Sequence, residues 1–351
     1  MPILVINSGS TSIKYALFGD DETEIKQGEV ADIQDHYAAL KLVLRQIGDL
    51  RDLKAVGHRV VHGGDKLTQS VIITDAVLSE IEKFNRLAPL HNPYNLAAVK
   101  ALREYLPEIK QVAVFDTAFY SALPQAARLY ALPLKLSEKH EIKRFGFHGI
   151  SHKYVMEEAA KILKKPVEKI NLITCHLGGG WSVTAIESGK PVDTSMGWTP
   201  LEGLVMMTRS GDLDPSIVLE LIKEAEGETT EEKCQWVYNF LNHESGIKGL
   251  SGATDYKQLI HLVSMGNTNA KLAFNIAIYR LVKYIGAYSA VLNGKVEAIV
   301  FTGAVGSGNP ITRDQVMAKL NFLKKVKFLS IPTNEELMIA REVKQIINNA
   351  K

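Results

Sequence analysis

The segment ILVINSGSTSIKYALF, Ile3 to Phe18, decides how the rest of the chain is read. It runs as an apolar strand, a turn of small polar residues and a second strand, and so predicts a β-hairpin. Half a chain later NLITCHLGGGWSVTAI, Asn171 to Ile186, follows the same plan. The echo predicts two similar half-molecules, each opening with a hairpin whose tip is rich in backbone N–H groups. Such tips cradle phosphate oxygens, here from two sides of a cleft. Two ordinary, unrelated hairpins are the alternative.

Around the hairpins, strand-like and helix-like stretches alternate, which predicts an α/β architecture. Helical spacing covers residues 94–106 and Ser151 to Lys165, and QVAVFDTAFY (Gln111 to Tyr120) opens as a buried strand. Asp214-Pro215 starts a helix, with Asp as N-cap and Pro in first position. KVEAIVFTGAVGSG (Lys295 to Gly308) is a strand entering a Gly-rich turn, and GETTEEK (Gly227 to Lys233) is a solvated loop. Asn275, Arg280 and Lys283 interrupt the apolar stretch Leu272 to Leu292, so it is an amphipathic helix and not a membrane span.

At 351 residues the chain has room for roughly two domains. Lys+Arg is 41 against Asp+Glu 39, which excludes a broad basic surface for nucleic acid. The two cysteines, Cys175 and Cys234, form no CxxC, which excludes a disulfide framework or zinc ribbon and fits a reducing compartment. MPILVINSGS carries no Lys or Arg, so no signal peptide is expected and the expected location is cytoplasmic. P-loop, Rossmann, nucleophile-elbow and H-E-x-x-H signatures are all absent.

Eight segments carry candidate chemistry. Asn7 to Lys14 places hydroxyls, an amide and a cation on one hairpin tip, suited to phosphate or to a plain Ser-rich turn. In GHRVVHGG (Gly57 to Gly64), strand alternation puts Arg59 and Val61 on one face and His58, Val60 and His62 on the other. A guanidinium beside a small apolar side chain would hold a carboxylate with a short alkyl tail; a surface salt bridge is the alternative. APLHNP (Ala88 to Pro93) must be a rigid non-helical loop around His91. Asp116, in FDTAF, ends a buried strand where α/β folds face ligands, or caps the next turn. RFGFHGISH (Arg144 to His152) reads as a loop with His148 as a hydrogen-bond donor and Ser151 capping the next helix. CHLGGGWSV (Cys175 to Val183) lets the backbone approach a ligand closely. In DTSMGWTPLEGLVMMTRSGDLDP (Asp193 to Pro215), Arg209 is a second guanidinium for phosphoryl oxygens. In IPTNEELMIAREV (Ile331 to Val343), Thr333 and Glu336 form a capping box, which leaves Glu335 to face a metal-bound water.

In this order these segments resemble the acetate kinase family, and the likeness covers nearly the whole chain. The resemblance implies duplicated ribonuclease H-like (actin-like ATPase) α/β domains with an interdomain cleft. It divides the chain into 1–120 plus 338–351 and 121–337. It implies Mg²⁺-dependent phosphoryl transfer between ATP/ADP and acetate/acetyl phosphate, with Mn²⁺ as the substitute ion, in a homodimer with neither nucleic-acid nor membrane partner. By position, Asn7 and Glu335 match the metal site and Lys14 a nucleotide-phosphate contact. Asp116, His148 and Arg209 match the catalytic positions. Arg59 and His91 match substrate contacts, and Val61, Leu90, Phe147 and Pro200 the pocket for the acetate methyl. His176, Leu177, Gly178, Gly179 and Gly180 match the phosphate turn.

Three departures from the family pattern concern the nucleotide side. The family's G-I-G-E-N turn is Ala304-Val305-Gly306-Ser307-Gly308 here, its D-x-R is Asp255-Tyr256-Lys257, and Gly179 stands where Asn is usual. The first two touch the base and ribose and leave open another phosphoryl donor, such as pyrophosphate. Propionate or butyrate as acceptor also stays open, as does, more remotely, a non-catalytic nucleotide switch of the actin or Hsp70 kind.

Overall fold

The computed structural model describes every residue except Met1, Leu90, Lys324 and Lys351, and the chain forms two compact units. The first comprises Met1–Ala122, Phe147–Tyr154 and Asn334–Lys351; the second comprises Leu123–Gly146 and Val155–Thr333. The first unit opens with strands β1 (Ile3–Ser8), β2 (Ser12–Phe18) and β3 (Glu24–Ala31) and helix α1 (His36–Ile47). Strands β4 (Ala55–Val60) and β5 (Val71–Ile72), helices α2 (Asp75–Glu82) and α3 (Asn92–Tyr105), and strand β6 (Lys110–Phe115) follow.

The middle of the chain begins with α4 (Gln125–Arg128), α5 (Leu134–His140) and α6 (Gly149–Leu163). Next come β7 (Leu172–Leu177), β8 (Trp181–Glu187), β9 (Lys190–Thr194), α7 (Pro215–Glu224) and α8 (Thr230–Asn239). Helices α9 (Gly246–Ser251), α10 (Tyr256–Ser264) and α11 (Thr268–Val291) lead to β10 (Ala298–Thr302), α12 (Gly303–Gly306), α13 (Pro310–Lys319) and β11 (Lys327–Ser330). Helix α14 (Glu335–Asn349) returns the chain to the first unit.

The two sheets share one plan. The first has strand order β3-β2-β1-β4-β6-β5 and the second β11-β10-β7-β8-β9. In each, an antiparallel three-strand meander (β1–β2–β3, β7–β8–β9) continues into two parallel strands (β4, β6 and β10, β11). The duplication expected from the two hairpins is therefore present in five strands of each sheet, and β5 is an addition to the first.

Alternation along β1 sets the layers of the first unit. Leu4 and Ile6 pack with Leu40 and Val43 of α1 and Leu102 of α3, whereas Ile3 and Val5 pack with Ile339 and Val343 of α14. Gly57 of β4 lies under α14 so closely that a Cβ there would come within 2.7 Å of Val343 and 2.8 Å of Ile339. In the second unit β7 and β10 are buried along their whole length.

Four local expectations are corrected. Pro93 is not in a non-helical loop: it occupies the first turn of α3, where its missing N–H costs nothing. Ser151 does not cap α6, which already begins at Gly149. Half of GETTEEK is helix, because Thr229 and Glu232 form a capping box that starts α8. The cap of α14 is Asn334, which accepts from Leu337 N–H, so Thr333 and Glu336 form no capping box. Among the described residues no helix is long and apolar enough to cross a membrane.

Candidate active site

Asn7, Arg59 and Asp116 sit at or just past the C-terminal ends of three neighbouring strands, β1, β4 and β6. Each continues the face that its strand turns toward α14, through Ile3 and Val5, through Ala55, and through Val112 and Val114. Their convergence follows from strand parity and parallel register alone. The N-terminus of α14 brings Glu335 and Glu336 to the same place.

Arg59 is the hub. Its Nη2 donates to Asp116 Oδ2 at 2.7 Å and its Nε to Asp116 Oδ1 at 3.4 Å, a two-point fork. Nη1 lies 3.3 Å from Glu335 Oε2 and donates to Asn7 Oδ1 at 3.5 Å. Asn7 Nδ2 in turn donates to Glu336 Oε1 at 3.5 Å. The structure thus brings Asn7, Arg59, Asp116 and Glu335 together, and adds Glu336, which the sequence reading had assigned to a cap. Burial by itself would lower the Arg59 pKa, but Asp116 and Glu335 reverse this and hold it above the ordinary arginine value. Burial raises the Asp116 pKa, Arg59 opposes the rise, and the Glu335 charge reinforces it; the net direction is upward.

One guanidinium among three carboxylates leaves an excess of negative charge and hard oxygen donors, which suits a hard divalent cation. Among the described residues no group of three or more His, Cys, Asp or Glu side chains could hold a metal ion. Lys14 lies directly across the hairpin from Asn7 and is exposed, with no side-chain partner among the described residues.

β4 ends at Val60, so strand alternation does not by itself place Val61 on the face of Arg59. Amides of α3 hold the continuation: Asn95 Oδ1 accepts from Val61 N–H at 3.1 Å, and Asn92 Oδ1 from His62 N–H at 3.0 Å. Val61 and Phe147 are both buried, and the His62 ring meets Phe147 edge-on at 5.8 Å. His91 occupies the N-cap position of α3. Leu90 lies outside the described residues. His148 has φ +59, and Gly149 beside it passes so close to Asp116 O that a Cβ could not fit.

In the second unit, a cavity of about 500 Å³ is lined by Gly178, Gly179, Asp255, Tyr256, Lys257, Ala304, Val305 and Gly308. All eight are nucleotide-side residues of the sequence reading; Met207 and Asn309 complete the lining. The cavity again lies past the ends of two neighbouring parallel strands, β7 and β10. The Gly-rich turn after β10 is a single helical turn, α12. Its first residue, Gly303 at φ +78, leaves a Cβ only 2.5 Å from Leu177 O, so glycine is required. A Cβ on Gly179 would meet nothing within 4 Å, so no close contact at that atom requires glycine there. Leu177 is wholly buried, and His176, Gly180, Gly306 and Ser307 do not line the cavity. Arg313, which the sequence reading passed over, fixes the turn by donating to Gly306 O at 2.9 Å and Ser307 O at 2.7 Å.

Arg209 belongs to the second unit, and its Nη1 donates to Pro200 O at 3.4 Å. Among the described residues no carboxylate pairs with it, and burial lowers its pKa. A sheltered guanidinium without a counter-ion is suited to a ligand anion.

A sequence model described as the acetokinase family matches residues 20–324. The acetate kinase of Thermotoga petrophila is 45% identical over 404 aligned positions, which cover 99% of both chains. Those 404 positions exceed the 351 residues here, so the relative carries segments that this chain lacks. The crystal structure of Porphyromonas gingivalis acetate kinase superposes with TM-score 0.90 at 36% identity, covering 99% of each chain. That of a propionate kinase from Francisella tularensis gives 0.89 at 37%, covering 97% of this chain and 98% of the other. With a five-strand plan present in both sheets and relatives matched from end to end, the chain belongs to the acetokinase family.

Proposed function

We propose that the chain is an acetate kinase, catalysing ATP + acetate ⇌ ADP + acetyl phosphate. The carrying observation is the Arg59 hub at the strand ends, in a chain whose relatives over its full length are named acetate kinase. A carboxylate oxygen of acetate attacks the γ-phosphorus in line, forming one P–O bond as the bond to the ADP oxygen breaks. Acetate is already ionised at neutral pH, so no general base is needed. Charge collects on the phosphoryl oxygens, and positioning and electrostatics dominate.

Arg59, fixed by Asp116, receives the acyl carboxylate, with Val61 and Phe147 around its methyl and His91 on the substrate side. Arg209 and His148 stabilise the transferring phosphoryl group. Asp116 orients Arg59 and takes no proton. The second-unit cavity, at about 500 Å³, falls in the size range of small-molecule sites and receives the nucleotide. The kinase needs a divalent metal; we infer Mg²⁺, with Mn²⁺ as substitute, held by Asn7 and Glu335. The metal neutralises phosphate charge when bound. We also infer a cytoplasmic homodimer, in which α11, with Leu272 and Tyr279 exposed, supplies the interface.

The test is acetyl phosphate formation from ATP and acetate, trapped as the hydroxamate, with and without a chelator. Metal-dependent product supports the reading, and its absence from folded protein overturns it. The second reading, a propionate kinase, is favoured by the equally good match to the Francisella structure.

A further inference from the structure

Val61, past the end of β4, is separate in sequence from the hairpin that carries Asn7, yet one amide ties the two together. Asn95 of α3 is 3% exposed. Its Nδ2 donates to Ser8 O at 2.7 Å, and its Oδ1 accepts from Val61 N–H at 3.1 Å. Ser8 adjoins Asn7 at the end of β1, and Val61 is the first residue past the end of β4. One turn earlier on the same helix face, Asn92 closes a two-point amide pair with the backbone of His62. Its Oδ1 accepts from His62 N–H at 3.0 Å and its Nδ2 donates to His62 O at 3.1 Å.

The two asparagines continue by side chain the hydrogen bonding that the sheet stops supplying at Val60. Each carries an acceptor and a donor on one planar group, which is what a departing strand needs. Neither ordinary helix propensity nor a cap explains two buried asparagines inside α3, where Asn is a poor helix former.

We propose that Asn95, supported by Asn92, is a positioning residue. It sets the distance between the β1 end, with Asn7, and the β4 exit, with Arg59 and Val61, and so couples the metal–phosphate side of the first unit to its acyl side. The inference rests on the acetate kinase reading. It does not make Asn95 catalytic: its contacts are to backbone.

The test compares Asn95→Ala and Asn95→Asp with the parent enzyme, measuring kcat and KM for acetate, propionate and ATP, and Tm. Asn95→Ala frees both ends and should lower kcat/KM for acetate by roughly 10- to 100-fold, as for a misplacement of about 1 Å. It should also narrow the preference among acyl acceptors, while KM for ATP stays within about threefold. Asn95→Asp keeps the acceptor for Val61 N–H and loses the donor to Ser8 O. It should lower kcat by about tenfold with the acyl preference retained. If Asn95→Ala does not fold, the isosteric Asn95→Asp decides. Folded variants that change Tm but neither acyl preference nor the kcat-against-KM split overturn the inference. A parent enzyme that makes no acyl phosphate overturns the functional reading itself, whereas an active parent with unmoved variants overturns this inference alone.

Discussion

The guanidinium of Arg59 meets the carboxylate of Asp116 as a fork, 2.7 Å at Nη2 and 3.4 Å at Nε, with the Asp116 side chain only 2% exposed. That geometry makes Asp116 the residue that aims Arg59. Asp116→Asn should therefore lower kcat/KM for acetate by about 10²-fold or more, on the scale of losing one preorganised interaction. The shape of the pH–rate profile should stay as in the parent. A limb of the parent profile that vanishes in Asp116→Asn would give Asp116 a proton-transfer role instead.

Arg209 carries no carboxylate partner among the described residues, so its charge is available to a ligand. Arg209→Ala should lower kcat by ~10²–10³-fold. Steady-state kinetics on protein with an unchanged circular dichroism spectrum checks this. A loss under about tenfold would remove Arg209 from the phosphoryl site.

Val61 is 6% exposed and held through its own backbone by Asn95. Removing its two methyls should enlarge the acyl site, so Val61→Ala should shift preference toward propionate. The shift is bounded by the ~1–3 kcal/mol that one methylene is worth. Competition between acetate and propionate measures it, and an unchanged ratio would place Val61 elsewhere.

His58 is 1% exposed, and its Nε2 meets Gln111 Oε1 at 2.8 Å. Burial lowers its pKa from 6.5 to about 4, with the Gln111 contact opposing the shift. The folded state therefore keeps His58 neutral while the unfolded chain takes up a proton below pH 6.5. The stabilising contribution is whole above about pH 6.5 and is lost as pH falls toward about 4, in total about 3 kcal/mol. Urea unfolding between about pH 7 and pH 5, above most carboxylate titration, should show about 2 kcal/mol of this loss in the parent and a smaller loss in His58→Gln. Equal slopes would contradict it.

The sequence made some of this legible and left some of it hidden. The apolar run Ile3 to Ile6 with its polar turn, and the second hairpin, announced both sheets, because strand and turn patterning is local. Arg59 and Asp116 were legible as strand-end residues for the same reason. Glu336 was not: T-x-x-E looks like a cap, and only the fold shows that Asn334 takes the capping role and Glu336 turns to Asn7. Asn92 and Asn95 were invisible because their partners are backbone groups some thirty or more residues away, which no periodicity records. Arg313 was missed for the same reason, since it grips carbonyls and not a charge.

The most direct measurement is a donor and acceptor matrix. Purified protein with Mg²⁺ is offered ATP, GTP or pyrophosphate against acetate, propionate or butyrate, and acyl phosphate is trapped with hydroxylamine. The account predicts the highest kcat/KM for ATP with acetate, which would show that the altered turn at Ala304–Gly308 and Lys257 still serves an adenine nucleotide. Folded protein that hydrolyses ATP but yields no acyl phosphate with any pair would contradict it.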